Sequence, residues 1–386
     1  MTAHRALTAV LLLGLIGCEL PDQSKPADAG ALREWNANEV SVLFPVPTDA
    51  SLLLGVRGLL DESLFGRLGD GVSGLPRLVE AAGTRDVFPD LRVVSARVDP
   101  CFDGTRAGTG TCRRQMRLVA QVFEPETKTF SDASIHLFYE LNEDQLLEVL
   151  SRLRALSRVS APTGKLGVHP VLEREQLVGP YSDETRAIIT SVCSSTSLTR
   201  FTFMATGRSK NWLFFVFDRQ PGGTFTQSNV VGVGDSDAFT DQGGVGFRNG
   251  ITAQVPWFPA SLLTSAGTLA LEPAAFAAAY EQLARLSNPR LTKTEEVNCA
   301  ACHAAGSTQL EALGDRDARR PPVTASEYAP GAFPTLRLGN LHAFSYFVDT
   351  PSVSERTANE TEEVLLRLQS AEFLNRLTPA QRARLE

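Results

Sequence analysis

The sequence has no dense run of lysine or arginine and no apolar stretch long enough to cross a membrane. It is also poor in soft and redox ligands, with three methionines, five histidines and six cysteines among 386 residues. Each shortage excludes something. Without a basic run, and at a formal net charge of −7, the chain is not built to grip nucleic acid. The apolar run Ala6 to Ile16 has eleven residues, interrupted by Thr8 and Gly14, whereas a transmembrane helix needs ~20. Hydrolase elbow, P-loop and dinucleotide fingerprint are all missing: Gly232, Gly234, Gly243, Gly244 and Gly246 lack the strand–turn–helix register that phosphate binding requires. Disorder is excluded for the bulk of the chain by a 43% hydrophobic and 21% charged composition, which is enough to build a core.

What is present begins with an export signal. Arg5 supplies the positive n-region, and the short apolar run behind it ends in Leu15-Ile16-Gly17-Cys18. Those four residues resemble the bacterial lipobox. The resemblance implies cleavage before Cys18, a diacylglycerol on its sulfur, and a mature protein anchored by lipid in the bacterial cell envelope. It leaves open inner membrane, outer membrane or cell surface. Glu19 to Gly30 is polar, Pro-containing and without apolar periodicity, which makes residues 18–34 a lipidated N-terminus and flexible tether.

The remaining cysteines fall into three groups. Cys101 and Cys112 enclose a Gly- and Thr-rich loop between two strand-like runs, and in an oxidising compartment they are expected to form a disulfide. Cys193 is left over in an apolar stretch and is read as a small buried hydrophobe. Cys299-Ala300-Ala301-Cys302-His303 has the c-type haem attachment pattern, in which two thiols add across porphyrin vinyl groups and the adjacent imidazole ligates iron. Covalent haem attachment takes place outside the cytoplasm, where the leader directs the chain. A redox-active CxxC or a zinc site are the rival readings; the first lacks a βαβ context and the second a fourth ligand.

Periodicity predicts an α+β region in one or two strand-rich units, each ending in a helix. In residues 35–162 the strands are Leu91–Val98, Met116–Phe123 and Ser134–Leu141. A helix follows, capped by Asn142 with Gln145 and carrying the stripe Leu146, Leu147, Leu150, Leu153, Leu156. After a Pro/Gly connector, Ser160 to Gly179, residues 163–272 form a second unit with strands Leu198–Thr206, Trp212–Phe217 and Phe225–Val231. A helix over Ala274–Leu286 comes next. The helices at Leu150–Ser157 and Tyr280–Ser287 are similar enough to raise an internal duplication. Asp235, Asp237 and Asp241 form an incomplete calcium-loop pattern. On its strand, His136 is expected as a cross-strand surface partner, and neither it nor His169 is favoured as a metal ligand.

Residues 273–386 resemble a small monohaem cytochrome c domain: a helix, the CxxCH motif, a Pro-rich loop with Pro321, Pro322, Pro330 and Pro334, and a closing helix. Thr357 and Glu360 are read as that helix's capping box, with Val364, Leu365, Leu368 and Leu374 as its apolar face. The resemblance implies a mostly α haem module, thioethers at Cys299 and Cys302, and His303 as proximal ligand. A distal methionine from the module is excluded, because the mature chain holds only Met116 and Met204. His342 is the expected distal ligand, with Phe333, Phe344, Tyr346 and Phe347 as haem-packing aromatics. One covalent haem c points to electron transfer with a redox protein partner. The alternatives are a haem peroxidase-like enzyme with an exchangeable sixth ligand and a binding or structural lipoprotein with accessory or absent haem.

Overall fold

A computed structural model describes residues 34–65, 87–102, 113–206, 212–228, 238–240, 272–291, 303 and 342–385. The one-turn helix α1 (Ala37–Val40) opens this part of the chain. Asn36 accepts from the helix backbone and Glu39 reaches back to the Asn36 N–H, so its first free donors are satisfied reciprocally. Strand β1 (Ser41–Leu43) leads to three long strands, β2 (Leu91–Phe102), β3 (Arg113–Glu124) and β4 (Thr129–Glu140). Helices α2 (Glu143–Val159), α3 (Pro170–Glu175) and α4 (Pro180–Val192) then precede β5 (Leu198–Thr206), β6 (Trp212–Arg219), β7 (Phe225–Ser228) and β8 (Ala238–Thr240). The chain continues through α5 (Pro273–Leu286), the hairpin β9 (Phe344–Phe347) and β10 (Thr350–Val353), and helices α6 (Glu355–Gln369), α7 (Ala371–Arg376) and α8 (Pro379–Leu385).

Strands β1 to β8 form one eight-stranded antiparallel sheet in the order β1-β2-β3-β4-β5-β6-β7. Its last edge is shared: β7 pairs with residues 216–219 of β6, and β8 with residues 212–214. The β6–β7 turn needs left-handed backbone at two successive positions, which Gly222 (φ 101°) and Gly223 (φ 89°) supply without a Cβ clash.

This sheet corrects the expected fold class. Strands assigned to separate α+β units pair directly, with Ile135 of β4 opposite Phe203 of β5, so both sets belong to one layer. Nor do the last hundred residues fold as a mostly α cytochrome c-like module. Their described part contains the β9–β10 hairpin, and this hairpin and α6 dock on the large sheet. The short run FSYF is apolar enough for either state, and periodicity over four residues cannot separate a buried strand from a loop or helix. Two local expectations also change. Ser354, not Thr357, caps α6, its Oγ accepting from the Thr357 N–H at 3.1 Å. The connector holds α3 and runs into α4, whose first position is Pro180, a residue already set at a helical φ. The Asn142–Gln145 capping box and the buried leucine stripe of α2 are present as read.

Strand alternation divides the sheet into two unlike faces. One carries Ala96, Val98, Met116, Leu118, Ala120, Ile135, Leu137 and Tyr139, each at most 5% exposed. The Tyr139 hydroxyl donates to the Leu59 carbonyl at 3.1 Å, so even its polar tip is satisfied. The other face carries Ser95, Arg97, Asp99, Gln115, Arg117, Gln121 and His136, and it is not left to solvent. Ser95 donates to the Phe344 carbonyl at 2.6 Å. Gln121 donates to the Tyr346 carbonyl at 2.8 Å while accepting the Tyr346 N–H at 2.9 Å. One glutamine side chain thus completes the backbone bonding of a buried hairpin residue.

Arg154 of α2 closes the other side of the molecule. Fully buried, it lies 3.7 Å over the Trp35 ring, contacts Glu39 at 3.3 Å and donates to the Leu385 carbonyl at 3.1 Å. It joins the beginning and end of the described chain. Replacing it by Met strands the Glu39 carboxylate in a dry site, so Arg154→Met is expected to cost about 3–5 kcal/mol in urea unfolding. Adding Glu39→Gln should recover part of that loss.

His169 makes a second testable contribution. It caps α3, its Nδ1 accepting from the Leu172 N–H at 3.3 Å, while Nε2 faces the Tyr181 hydroxyl at 3.2 Å. Burial pushes its pKa from 6.5 down to about 4, so the folded ring stays neutral. Between those two pH values the unfolded chain binds a proton that the native protein refuses, so stability falls as pH falls. The full effect is about 3 kcal/mol, lost between pH 6.5 and 4. His169→Asn keeps a capping side chain and removes the titration. Its urea midpoint should depend less steeply on pH than the wild type's across that window.

Candidate functional site

The polar face of the sheet gathers the residues that can do chemistry. Direct cross-strand pairing sets two transverse rows: Ser95–Val119–His136–Thr202–Val216 and, two positions along, Arg97–Arg117–Phe138–Arg200–Asp218. Side chains in one row point the same way, so the rows stand side by side above the sheet.

In the first row His136 occupies the middle of β4. The ring of His303, the histidine of the CxxCH motif, packs against it with centroids 5.5 Å apart and planes tilted by 43°. His136 makes no hydrogen bond with any described residue. Its pKa falls from 6.5 to about 3 because the ring has lost its hydration; His303, His342, Arg97 and Arg117 add smaller charge effects. The ring is therefore neutral throughout the physiological range and keeps a nitrogen lone pair.

His342 lies just before β9 and is almost fully buried. Its Nδ1 is 3.0 Å from the Ser345 hydroxyl, its carbonyl accepts from Ser352 Oγ at 2.8 Å, and its ring stands 6.4 Å from Phe347. Three of the chain's five histidines thus share one region, brought there by β4, by the motif and by the segment entering the hairpin.

The second row sets two guanidiniums directly opposite each other, Arg97 and Arg117, an arrangement that repels. Glu360 of α6 resolves it. Its carboxylate pairs with Arg97, lies 3.5 Å from Arg117 and accepts from Arg356 at 2.8 Å. Asp99 adds a contact to Arg117 at 3.2 Å, and Arg356 also donates to the Leu286 carbonyl at 3.1 Å. Burial alone would raise the Glu360 pKa, but the three arginines hold it well below the usual carboxylate range. Burial, and then the neighbouring Arg97, lower Arg117 to about 10. Among the described residues Arg97, Arg117 and Arg356 thus meet the carboxylates of Asp99 and Glu360 beside the histidines.

The sequence-predicted residues divide accordingly. His303 and His342 stand in this region. His136, expected as a surface partner, is the ring against His303; the alternation of SIHLFYEL gave its face, but nothing in that pattern says that a segment from 160 residues later covers it. Phe344, Tyr346 and Phe347 lie on β9. Phe344 and Tyr346 are buried, and Tyr346 stacks on Phe130 at 5.0 Å while donating to the Phe44 carbonyl at 2.6 Å, which gives it a place in the sheet core. Cys101 is disulfide-bonded; Cys112 lies outside the described residues. Cys193 is a buried free thiol whose pKa is raised by burial. Cys18, Cys299, Cys302, Phe333 and the acidic loop Asp235, Asp237 and Asp241 also lie outside them. Among the described residues no helix is long and apolar enough to cross a membrane, and no group of three or more His, Cys, Asp or Glu side chains is arranged to hold a metal ion by itself. Comparison with protein-family models, with curated proteins and with solved structures finds no match.

The arginine–glutamate cluster predicts a sharp response to substitution. Glu360→Gln keeps the shape but leaves Arg97 and Arg117 facing each other without their shared anion. It should destabilise the protein by about 3–5 kcal/mol and accelerate amide exchange in residues 342–369 before the sheet opens.

Proposed function

We propose that this chain is a lipid-anchored protein of the bacterial envelope that carries one covalently attached haem c and transfers electrons to a redox protein partner. Cys18 would hold the lipid, Cys299 and Cys302 the two thioethers, and His303 the iron. The observation that carries the reading is the CxxCH motif behind an export leader. Its support from the fold is that the motif's histidine packs against a second imidazole, His136, on the polar face of the sheet.

His303, with the His136 and His342 rings in the same region, offers a nitrogen donor of the kind that haem iron takes. Haem c would supply one-electron exchange between Fe(II) and Fe(III). The chain's own residues would do the rest. His303 would bind the iron, the Arg97–Glu360–Arg117 cluster would hold the charge nearby, and the sheet would supply a rigid wall beside it. With His342 as a second nitrogen donor the site would hold a lower potential than a histidine–methionine one, because a thioether favours Fe(II) more strongly.

The test is direct. Full-length protein made with c-type maturation machinery should keep a haem stain on a denaturing gel and show a mass increase of one haem, both lost in Cys299→Ala/Cys302→Ala. A wild-type protein of unmodified mass from a host that matures another c-type cytochrome would overturn the reading. Cys18→Ala should release the haem-bearing protein from the membrane fraction.

A further inference from the structure

We infer that the end of α2 and the connector behind it, around Arg158, Val159, Lys165 and Arg174, form a face that meets anionic lipid headgroups when the protein stands on its membrane. This rests on the lipid-anchor reading of Cys18 and goes further, because it gives the folded body a lipid-binding surface of its own.

The first argument is covalent. Glu34 opens the described body sixteen positions after Cys18. A chain of that length spans at most about 55 Å, so the surroundings of Glu34 are kept within reach of the bilayer. Such a link sets an effective concentration on the order of millimolar, at which weak headgroup contacts become populated.

The second is position, because hydrogen bonds gather the proposed face around that same point. Arg154 donates to the Glu34 carbonyl at 3.4 Å, and Arg158 stands one helical turn further along the same side of α2. Asn36 donates to the Gly164 carbonyl at 3.5 Å and Asn38 to that of Lys165 at 3.1 Å. Arg174 of α3 reaches back to the Ser160 hydroxyl at 2.6 Å.

The third is surface chemistry. Arg158, Lys165 and Arg174 are exposed, and none of them pairs with a carboxylate among the described residues. Residues 158–178 set these three cations against Glu173 and Glu175, and Glu175 is turned towards α4, where it accepts from the Ser182 N–H at 3.2 Å. The stretch is therefore locally positive in a chain whose formal net charge is −7. It also carries Val159 and Val178, 84% and 71% exposed, the most exposed large apolar side chains among the described residues. Cations beside exposed apolar groups suit a boundary at which phosphates lie over acyl chains.

The experiment uses the full-length acylated protein on phosphatidylcholine vesicles with and without about 30% phosphatidylglycerol, and reads amide hydrogen exchange. Phosphatidylglycerol should slow exchange in residues 158–178 by roughly fivefold or more, and about 0.5 M salt should restore the faster rate. Arg158→Gln/Lys165→Gln/Arg174→Gln should stay on the vesicles through Cys18 and lose the slowing. Where that variant fails to fold, Val159→Asp, at an exposed position, should weaken the slowing in the same way. Equal exchange on both lipids, slowing confined to another surface, or slowing that survives these substitutions would overturn the proposal. So would slowing on neutral vesicles that grows with protein density, which marks a second copy as the occupant. A chain that lacks the acyl mass and floats with neither lipid would overturn the anchor reading and this proposal together, and its unmodified mass distinguishes that result from all the others.

Discussion

Two arginines placed directly opposite one another on neighbouring strands cannot both be buried unless something negative lies between them. Arg97 of β2 and Arg117 of β3 are in that position, and Glu360 of α6 supplies the charge. The requirement reaches across more than two hundred residues of sequence. It fixes where α6 lies, and through the Ser354 cap and the β10 strand before it, where the hairpin lies. Removing the carboxylate is not equivalent to removing a surface ion pair, because the groups left behind have little access to water.

The same logic runs through the whole polar face. A sheet face carrying Ser95, Gln121, Arg97, Asp99, Gln115 and Arg117 could have faced solvent, which is the ordinary fate of the polar side of an antiparallel sheet. Here it is covered by backbone as well as side chains, and Ser95, Gln121, Arg97 and Arg117 each meet a partner on the covering segment. Gln121 holds both the N–H and the carbonyl of Tyr346, and Ser95 holds the carbonyl of Phe344. Such matched polar docking adds modest net stability per bond, but a shifted register would leave many groups unsatisfied, so it specifies one arrangement strongly.

Much of this was legible in the sequence, and what was not has a physical cause. Strands β2 to β6 follow from β-branched alternation, and α2 from its capping box and leucine stripe, since these signals are local. His136 shows the limit. Period two reveals that it lies on the face opposite Ile135 and Leu137, but whether that face meets water or protein depends on a segment far along the chain. Glu360 shows it again. Three residues after Thr357 it has the spacing of a capping box, yet its carboxylate is drawn to three arginines, and the neighbouring Ser354 takes the cap. The hairpin of β9 and β10 was hidden because four residues are too few for a period. The motif at Cys299 to His303 was readable because its chemistry is written into consecutive positions.

The placement of His303 against β4 changes what a haem would do for this fold. In a self-contained module the cofactor would organise only its own hundred residues, and the sheet would serve as a carrier. Here the motif's imidazole lies against His136 on the polar sheet face, so a group attached at the motif would sit beside a rigid central strand. Its binding would then add to the docking bonds made by Gln121, Ser95 and Glu360. His136 stays neutral there, mainly because its ring has lost its hydration. The arginine cluster secures α6 on the same sheet face where the His136 and His303 rings meet, so one buried arrangement both docks that helix and charges the surroundings of the histidines.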